Sequence, residues 1–143
     1  MSQSKSHFLC VDHIAIAVPP GHLEAQIDAY RSLGFTEVHR EDVLGNDQVR
    51  EVLLRIGDGP NFVQLLEPLA PESPVAKQIV KNGGRAGFAH IAYRVDSVQA
   101  AFAEMKAKGF QVIDRAPRPG SRGTTVFFVH PKSCGYLMEV VEA

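Results

Sequence analysis

Val11-Asp12-His13-Ile14-Ala15-Ile16-Ala17-Val18 and Phe88-Ala89-His90-Ile91-Ala92-Tyr93-Arg94-Val95 decide how this chain is read. Both octets carry His-Ile-Ala at the same place and are rich in β-branched and apolar residues. Each therefore reads as a strand, and the second as a repeat of the first. A helical pattern follows each one. Leu23, Ile27 and Tyr30 fall at i, i+4 and i+7, as do Val98, Phe102 and Met105, which lays one apolar stripe along a helix. Each helix stops at a Gly-Phe pair, Gly34-Phe35 and Gly109-Phe110, where glycine suits the left-handed residue after a helix end.

Working outward, three strands are expected after each helix: Thr36–Glu41, Val49–Ile56 and Phe62–Glu67, then Phe110–Arg115, Thr124–Val129 and Tyr136–Val141. Gly57-Asp58-Gly59-Pro60 and Pro117-Arg118-Pro119-Gly120 mark turns between them. Ser73-Pro74 reads as an N-cap with proline at the first helical position, opening a short helix with Val75, Ile79 and Val80 on its apolar face. The expectation is one α+β domain over residues 1–143, with module 1 at about 8–69, a linking helix at about 70–84 and module 2 at about 85–143. Two tandem βαβββ modules should form a curved eight-stranded mixed sheet around a concave metal site, with the helices outside.

A chain of 143 residues is long enough for one real core and too short for two independent ones. The 15 basic and 16 acidic side chains nearly cancel, to a net charge of −1, which speaks against nucleic acid or a membrane surface as partner. Apolar runs such as Ile14 to Val18 fall far short of the roughly 20 residues that cross a bilayer. Met1–His7 is polar, lacks the apolar stretch of a secretory signal, and reads as a short disordered lead. Cys10 and Cys134 make no disulfide framework and read as reduced, buried small hydrophobes in a cytoplasmic protein.

The repeat also pairs polar residues. His13 and His90 lie in the first strands of the two copies, Gln64 and Glu139 in the last, at nearly equal intervals. Glu139 shares a strand face with Leu137 and Val141, where a carboxylate is costly unless paired or metal-bound. Two imidazoles, an amide oxygen and a carboxylate suit a borderline divalent ion. That set carries one negative charge, so a bound cation would stay net positive and able to polarise a carbonyl. Any one of these residues alone reads as an ordinary hydrogen-bonded strand polar. Four at matching places read as the metal ligands His13, Gln64, His90 and Glu139.

These segments, with Val63-Gln64-Leu65-Leu66-Glu67-Pro68-Leu69, Ser73-Pro74-Val75-Ala76-Lys77, Gly84-Arg85-Ala86-Gly87-Phe88-Ala89-His90 and His130-Pro131-Lys132-Ser133, resemble the vicinal-oxygen-chelate (glyoxalase/bleomycin-resistance/dioxygenase) superfamily, and within it the methylmalonyl-CoA epimerase family. Glyoxalase I enzymes of that superfamily usually have glutamate where this chain has Gln64. The resemblance implies an isomerase that interconverts (2R)- and (2S)-methylmalonyl-CoA, or a related 2-substituted malonyl-type thioester, by proton transfer through a metal-bound enolate. It also implies one divalent metal (cobalt, zinc, nickel or manganese), a small acyl-CoA substrate and a homodimer.

One proton-transfer group would be Glu139. The other, in the family, is a glutamate of a Pro-Glu-Gln-Gly loop. The matching stretch here is Val43-Leu44-Gly45-Asn46-Asp47-Gln48-Val49, so Asn46 or Asp47 takes its place; Asp47 can serve as a base and Asn46 cannot. Glu51, on the next strand, is a further candidate that reads first as a solvated surface residue. Lys132, Ser133 and Arg122 are candidates for substrate contact, against the plainer reading of Arg122 and Lys132 as solvated loop charges. The competing functions are another metal enzyme on this scaffold, such as a glyoxalase-type isomerase or an iron dioxygenase, and a non-catalytic small-molecule binder.

Overall fold

The computed structural model describes residues 7–143, so the expected disordered lead lies, His7 aside, outside the described residues. The chain runs β1 (Phe8–Ala17), α1 (Leu23–Arg31), β2 (Thr36–Val43), β3 (Val49–Arg55), β4 (Phe62–Pro68), α2 (Pro74–Lys81), β5 (Gly87–Val95), α3 (Val98–Ala107), β6 (Arg118–Pro119), β7 (Thr125–Val129), α4 (Pro131–Cys134) and β8 (Met138–Glu142). A short 3-10 turn, Ser121–Gly123, joins β6 to β7. The strands belong to one mixed eight-stranded sheet in the order β2-β3-β4-β1-β5-β8-β7-β6. This is the doubled βαβββ order expected from the repeat. No described helix is long and apolar enough to cross a membrane.

The chain divides into two compact units: His13–Ala89, and His90–Ala143 together with the described residues before His13. The division falls inside β1 and β5 rather than at the linking helix. The start of β1 belongs with the second module because the His7 carbonyl accepts the Asp96 N–H at 3.2 Å and Phe8 meets the Tyr93 ring edge-on.

In the first unit β2, β3 and β4 pair antiparallel, and β4 pairs parallel with β1. Side chains alternate across a sheet. One face buries Val18, Val52, Leu54 and Leu65 under Leu23 and Ile27 of α1. The other gathers Ala15, Ala17, Val49 and Leu66 under Val75 and Ile79 of α2. Ser73 starts α2 as expected. Its Oγ accepts the Val75 N–H at 3.2 Å and donates to the Asp47 carbonyl at 2.8 Å, so one hydroxyl caps the helix and ties down the β2–β3 turn.

The second unit repeats the plan: β5 parallel with β8, then β7 and β6 antiparallel. Val98, Ala101 and Met105 of α3 cover Phe127, Val129 and Val140, with Phe102 edge-on to Phe127 at 5.2 Å. α1 and α3 both end at glycines in the left-handed region, Gly34 (φ 94°) and Gly109 (φ 88°), as their Gly-Phe pairs predict.

Two expectations need correction. Phe110–Arg115 is not a strand. Only a Val112–Val129 bridge forms there, and the edge strand is the later pair Arg118–Pro119. The ladder fails because the Asp114 carboxylate takes the Phe128 N–H at 2.7 Å, in place of a backbone carbonyl, and Pro117 has no N–H to offer. Cys10 and Cys134 are free thiols, but half-buried rather than enclosed.

Phe127 is fully buried. Phe127→Ala is expected to cost about 3–5 kcal/mol through the cavity it leaves. Urea denaturation measures this, and a loss under about 1 kcal/mol would contradict the packing described.

Candidate functional site

The two units place their chemistry by the same register. On the parallel pair β1/β4, Ala15 is the partner of Gln64, and His13 lies two residues before Ala15. On β5/β8, Ala92 is the partner of Glu139, and His90 lies two residues before Ala92. Because side chains repeat every two residues, each histidine shares a sheet face with the polar residue of the neighbouring strand. The small alanine between them leaves room for both. All four side chains are at least nine-tenths buried, with Glu139 the most exposed at 9%.

In the second unit the pair is in contact: His90 Nε2 lies 3.0 Å from Glu139 Oε1. The Phe128 ring stands edge-on to the imidazole at 5.4 Å, and its other neighbour, the Arg118 guanidinium, lies 5.4 Å from the same ring. Asp114 holds Arg118 through Nε at 2.9 Å. Asp12, the residue before His13, is 1% exposed. It accepts from Arg94 Nε and Nη2 at 2.9 and 2.7 Å and from Arg122 Nη2 at 3.2 Å. The bond from Asp12 holds the Arg94 guanidinium above its ordinary pKa.

In the first unit, Gln64 Nε2 donates to Glu51 Oε2 at 3.3 Å, so the amide oxygen is the atom of Gln64 that could hold a cation. Glu51 is 6% exposed, so the reading of it as a solvated surface residue is overturned. β3 is covered on both faces, and Glu51 sits on the face that carries Gln64. The repeat gives no warning of it. Glu51 partners Leu66 in the first unit; the matching place in the second, opposite Val141, is Val126. A buried carboxylate present in one copy only is invisible to a search for matched pairs.

The other candidates lie in loops. Asp47 is half-buried in the β2–β3 turn, and Asn46 beside it is exposed. Gln48, which follows them, takes the left-handed conformation (φ 45°). Ser133 Oγ accepts the Gln111 N–H at 2.8 Å and keeps its own proton to donate. The Lys132 N–H caps onto His130 Nδ1 at 3.0 Å, and its side chain is exposed. Arg122 is held by Asp12 rather than solvated.

The model of the Glyoxalase/Bleomycin resistance protein/Dioxygenase superfamily matches residues 12–128. The chain belongs to this superfamily. Among its relatives, the ethylmalonyl-CoA/methylmalonyl-CoA epimerase of Cereibacter sphaeroides is 35% identical over 133 residues, 91% of this chain and 95% of that one. The crystal structure of methylmalonyl-CoA epimerase from Mycobacterium tuberculosis superposes with a TM-score of 0.89 at 31% identity, covering 99% of this chain and 92% of its own. A variant of Streptomyces coelicolor methylmalonyl-CoA epimerase, solved in complex with 2-nitronate-propionyl-CoA, gives 0.86 at 38% identity, covering 95% and 98%. Superfamily membership and the buried His90–Glu139 pair together point to a divalent metal.

Asp12→Asn removes the charge that two guanidiniums share. It is expected to cost about 2–3 kcal/mol, less than for a wholly buried pair because both arginines reach solvent. A thermal melt coinciding with that of the parent protein would rule the clamp out as a source of stability.

Proposed function

We propose that this protein interconverts the (2R) and (2S) forms of methylmalonyl-CoA, or of a related 2-substituted malonyl-type thioester, by removing and returning the proton at C2. The observation that carries the reading is the doubled register, which gives each unit one histidine and one oxygen-bearing side chain on a buried face. The activities for which the relatives are named point the same way, and the Cereibacter relative's name covers ethylmalonyl-CoA as well. A nitronate, the group in the Streptomyces ligand, is a planar anion like a carbon acid that has lost its proton.

His13, Gln64, His90 and Glu139 are the proposed holders of one divalent cation: cobalt, zinc, nickel or manganese. Their donor set of imidazole nitrogen, amide oxygen and carboxylate oxygen fits such an ion. Gln64 also separates this reading from a glyoxalase I, where glutamate is usual. When bound, the cation draws electron density from substrate oxygens and makes the neighbouring C–H more acidic. The remaining chemistry belongs to the chain. Epimerisation needs one proton-transfer group for each face of the carbon. Glu139 serves as one. For the other, Glu51 is preferred to Asp47: it is a buried carboxylate beside Gln64, whereas Asp47 sits in a half-exposed turn. Lys132, Ser133 and Arg122 are assigned to the acyl-CoA. The reading extends to a cytoplasmic homodimer.

Metal-loaded protein incubated with methylmalonyl-CoA in D₂O is expected to place deuterium at C2, and a chelator to abolish this. Metal-bound protein without exchange would remove the function and leave the fold standing. Glu51→Gln should slow epimerisation by about 100-fold or more while still exchanging the proton of one epimer, the one that Glu139 faces. Asp47→Asn should stay near the parent rate. If Asp47→Asn is the crippled variant and Glu51→Gln is not, the second base is Asp47.

A further inference from the structure

We propose that His39, Glu41 and Glu51 form a second divalent-cation site, and that its occupation silences the enzyme by taking Glu51 out of proton transfer. The second half of this rests on the role given to Glu51 above; the site itself does not.

The three side chains come from one hairpin of the first unit. β2 and β3 are antiparallel, with Glu41 directly opposite Glu51 and His39 opposite Leu53. The two-residue period therefore sets His39, Glu41 and Glu51 on one sheet face. One ligand atom from each, an imidazole nitrogen and two carboxylate oxygens, lies within 4.8 Å of the others. His39 Nε2 is 2.7 Å from Glu41 Oε1. Ligand atoms around a single zinc ion stand about 3.4 Å apart, given bonds near 2.1 Å in a tetrahedron. Small rotations of side chains already on the same face close the remaining distance.

Charge makes the same case independently of geometry. Like charges directly opposite on antiparallel strands repel, and here one of the two carboxylates is 6% exposed, where water screens it poorly. A divalent ion removes that repulsion and replaces the lost hydration with direct bonds. The site also has an entrance. The His39 and Glu41 side chains are 32% and 36% exposed, so an ion arrives from solvent at the outer two ligands and reaches Glu51 last. Three protein ligands leave a position for water, which suits a weaker, reversible site. One nitrogen and two oxygens favour zinc among the common ions.

Among the described residues, the hairpin of the second unit has no such site. Its hairpin carries Val126 where Glu51 stands, and Phe128 where Leu53 stands. The site is therefore a property of the first hairpin and not a by-product of the repeat.

The test uses the full chain loaded with one equivalent of zinc, to which further zinc is added while heat and activity are followed. The parent protein is expected to bind one further ion and to lose activity as it does. His39→Ala and Glu41→Gln lie outside the proposed catalytic set. Each should keep the first equivalent, which also shows that the variant is folded, and weaken the second by about tenfold or more, since loss of even an indirect partner of a metal ligand costs 10–100-fold. In both variants excess zinc should no longer inhibit. No second binding event in the parent, or an unchanged second event in both variants, overturns the proposal. If the protein shows no epimerase activity at any zinc level but the second event disappears in the variants, the cation site stands and the epimerase reading falls.

Discussion

A parallel strand pair, read two residues out of step, underlies everything chemical in this molecule. In β1/β4 and again in β5/β8, a histidine precedes by two an alanine that faces the partner strand's polar residue. Parallel strands cannot be joined by a tight turn; they need a crossover. Here each crossover holds a helix and two further strands, so the histidine and its partner lie far apart in the chain yet are fixed to one face. Any register slip of one residue would send one of them to the opposite face, the one that α1 or α3 covers. The apolar cores under α1 and α3 thus do more than stabilise the units. They forbid the slip, because it would expose Val18 and Leu65, or Phe127 and Val140, and bury polar groups in their place.

Burial then decides what these side chains can be used for. A carboxylate that is nine-tenths buried needs a partner, and Glu139 has the His90 imidazole, 3.0 Å away. Both side chains are of the kinds that would hold a divalent cation, and the cation would supply the charge that the buried carboxylate lacks. Gln64 occupies the corresponding position of the first unit without a charge. The second carboxylate of the buried set, Glu51, is displaced onto the next strand, where it orients the Gln64 amide instead of duplicating Glu139.

How much of this was legible in the sequence follows from the same logic. The doubled order, the four residues at matched intervals, the Ser73 cap and the glycine stops were legible because each is a local pattern or is stated twice. Glu51 was not, because its counterpart is Val126 and because a glutamate on a strand reads as solvent-facing until both faces of β3 are known to be covered. The strand expected at Phe110–Arg115 failed for a tertiary reason: a side-chain carboxylate from Asp114 took the place of a backbone acceptor, a substitution with no trace in apolar periodicity. Asp12 read as part of the His13 strand segment. Its two arginines come from β5 and from the turn before β7, and nothing in the chain announces that they converge.

That convergence explains a strained residue. Arg122 lies at φ 57°, ψ 25°, a conformation that costs a non-glycine residue on the order of 1 kcal/mol. Glycine stands right beside it at Gly123, so a relaxed turn was within easy reach of the sequence. The guanidinium is what the position requires, since from this backbone it reaches the buried Asp12 carboxylate. A charge-assisted bond to a carboxylate that is 1% exposed outweighs strain of that size. The bond ties the turn that launches β7 to the strand that carries His13. β7 in turn delivers Phe128, whose ring edge meets His90 and whose N–H is held by Asp114. The histidine of the second unit is therefore steadied by packing against a strand that an ion pair anchors, and the strain at Arg122 is the local cost of that anchorage.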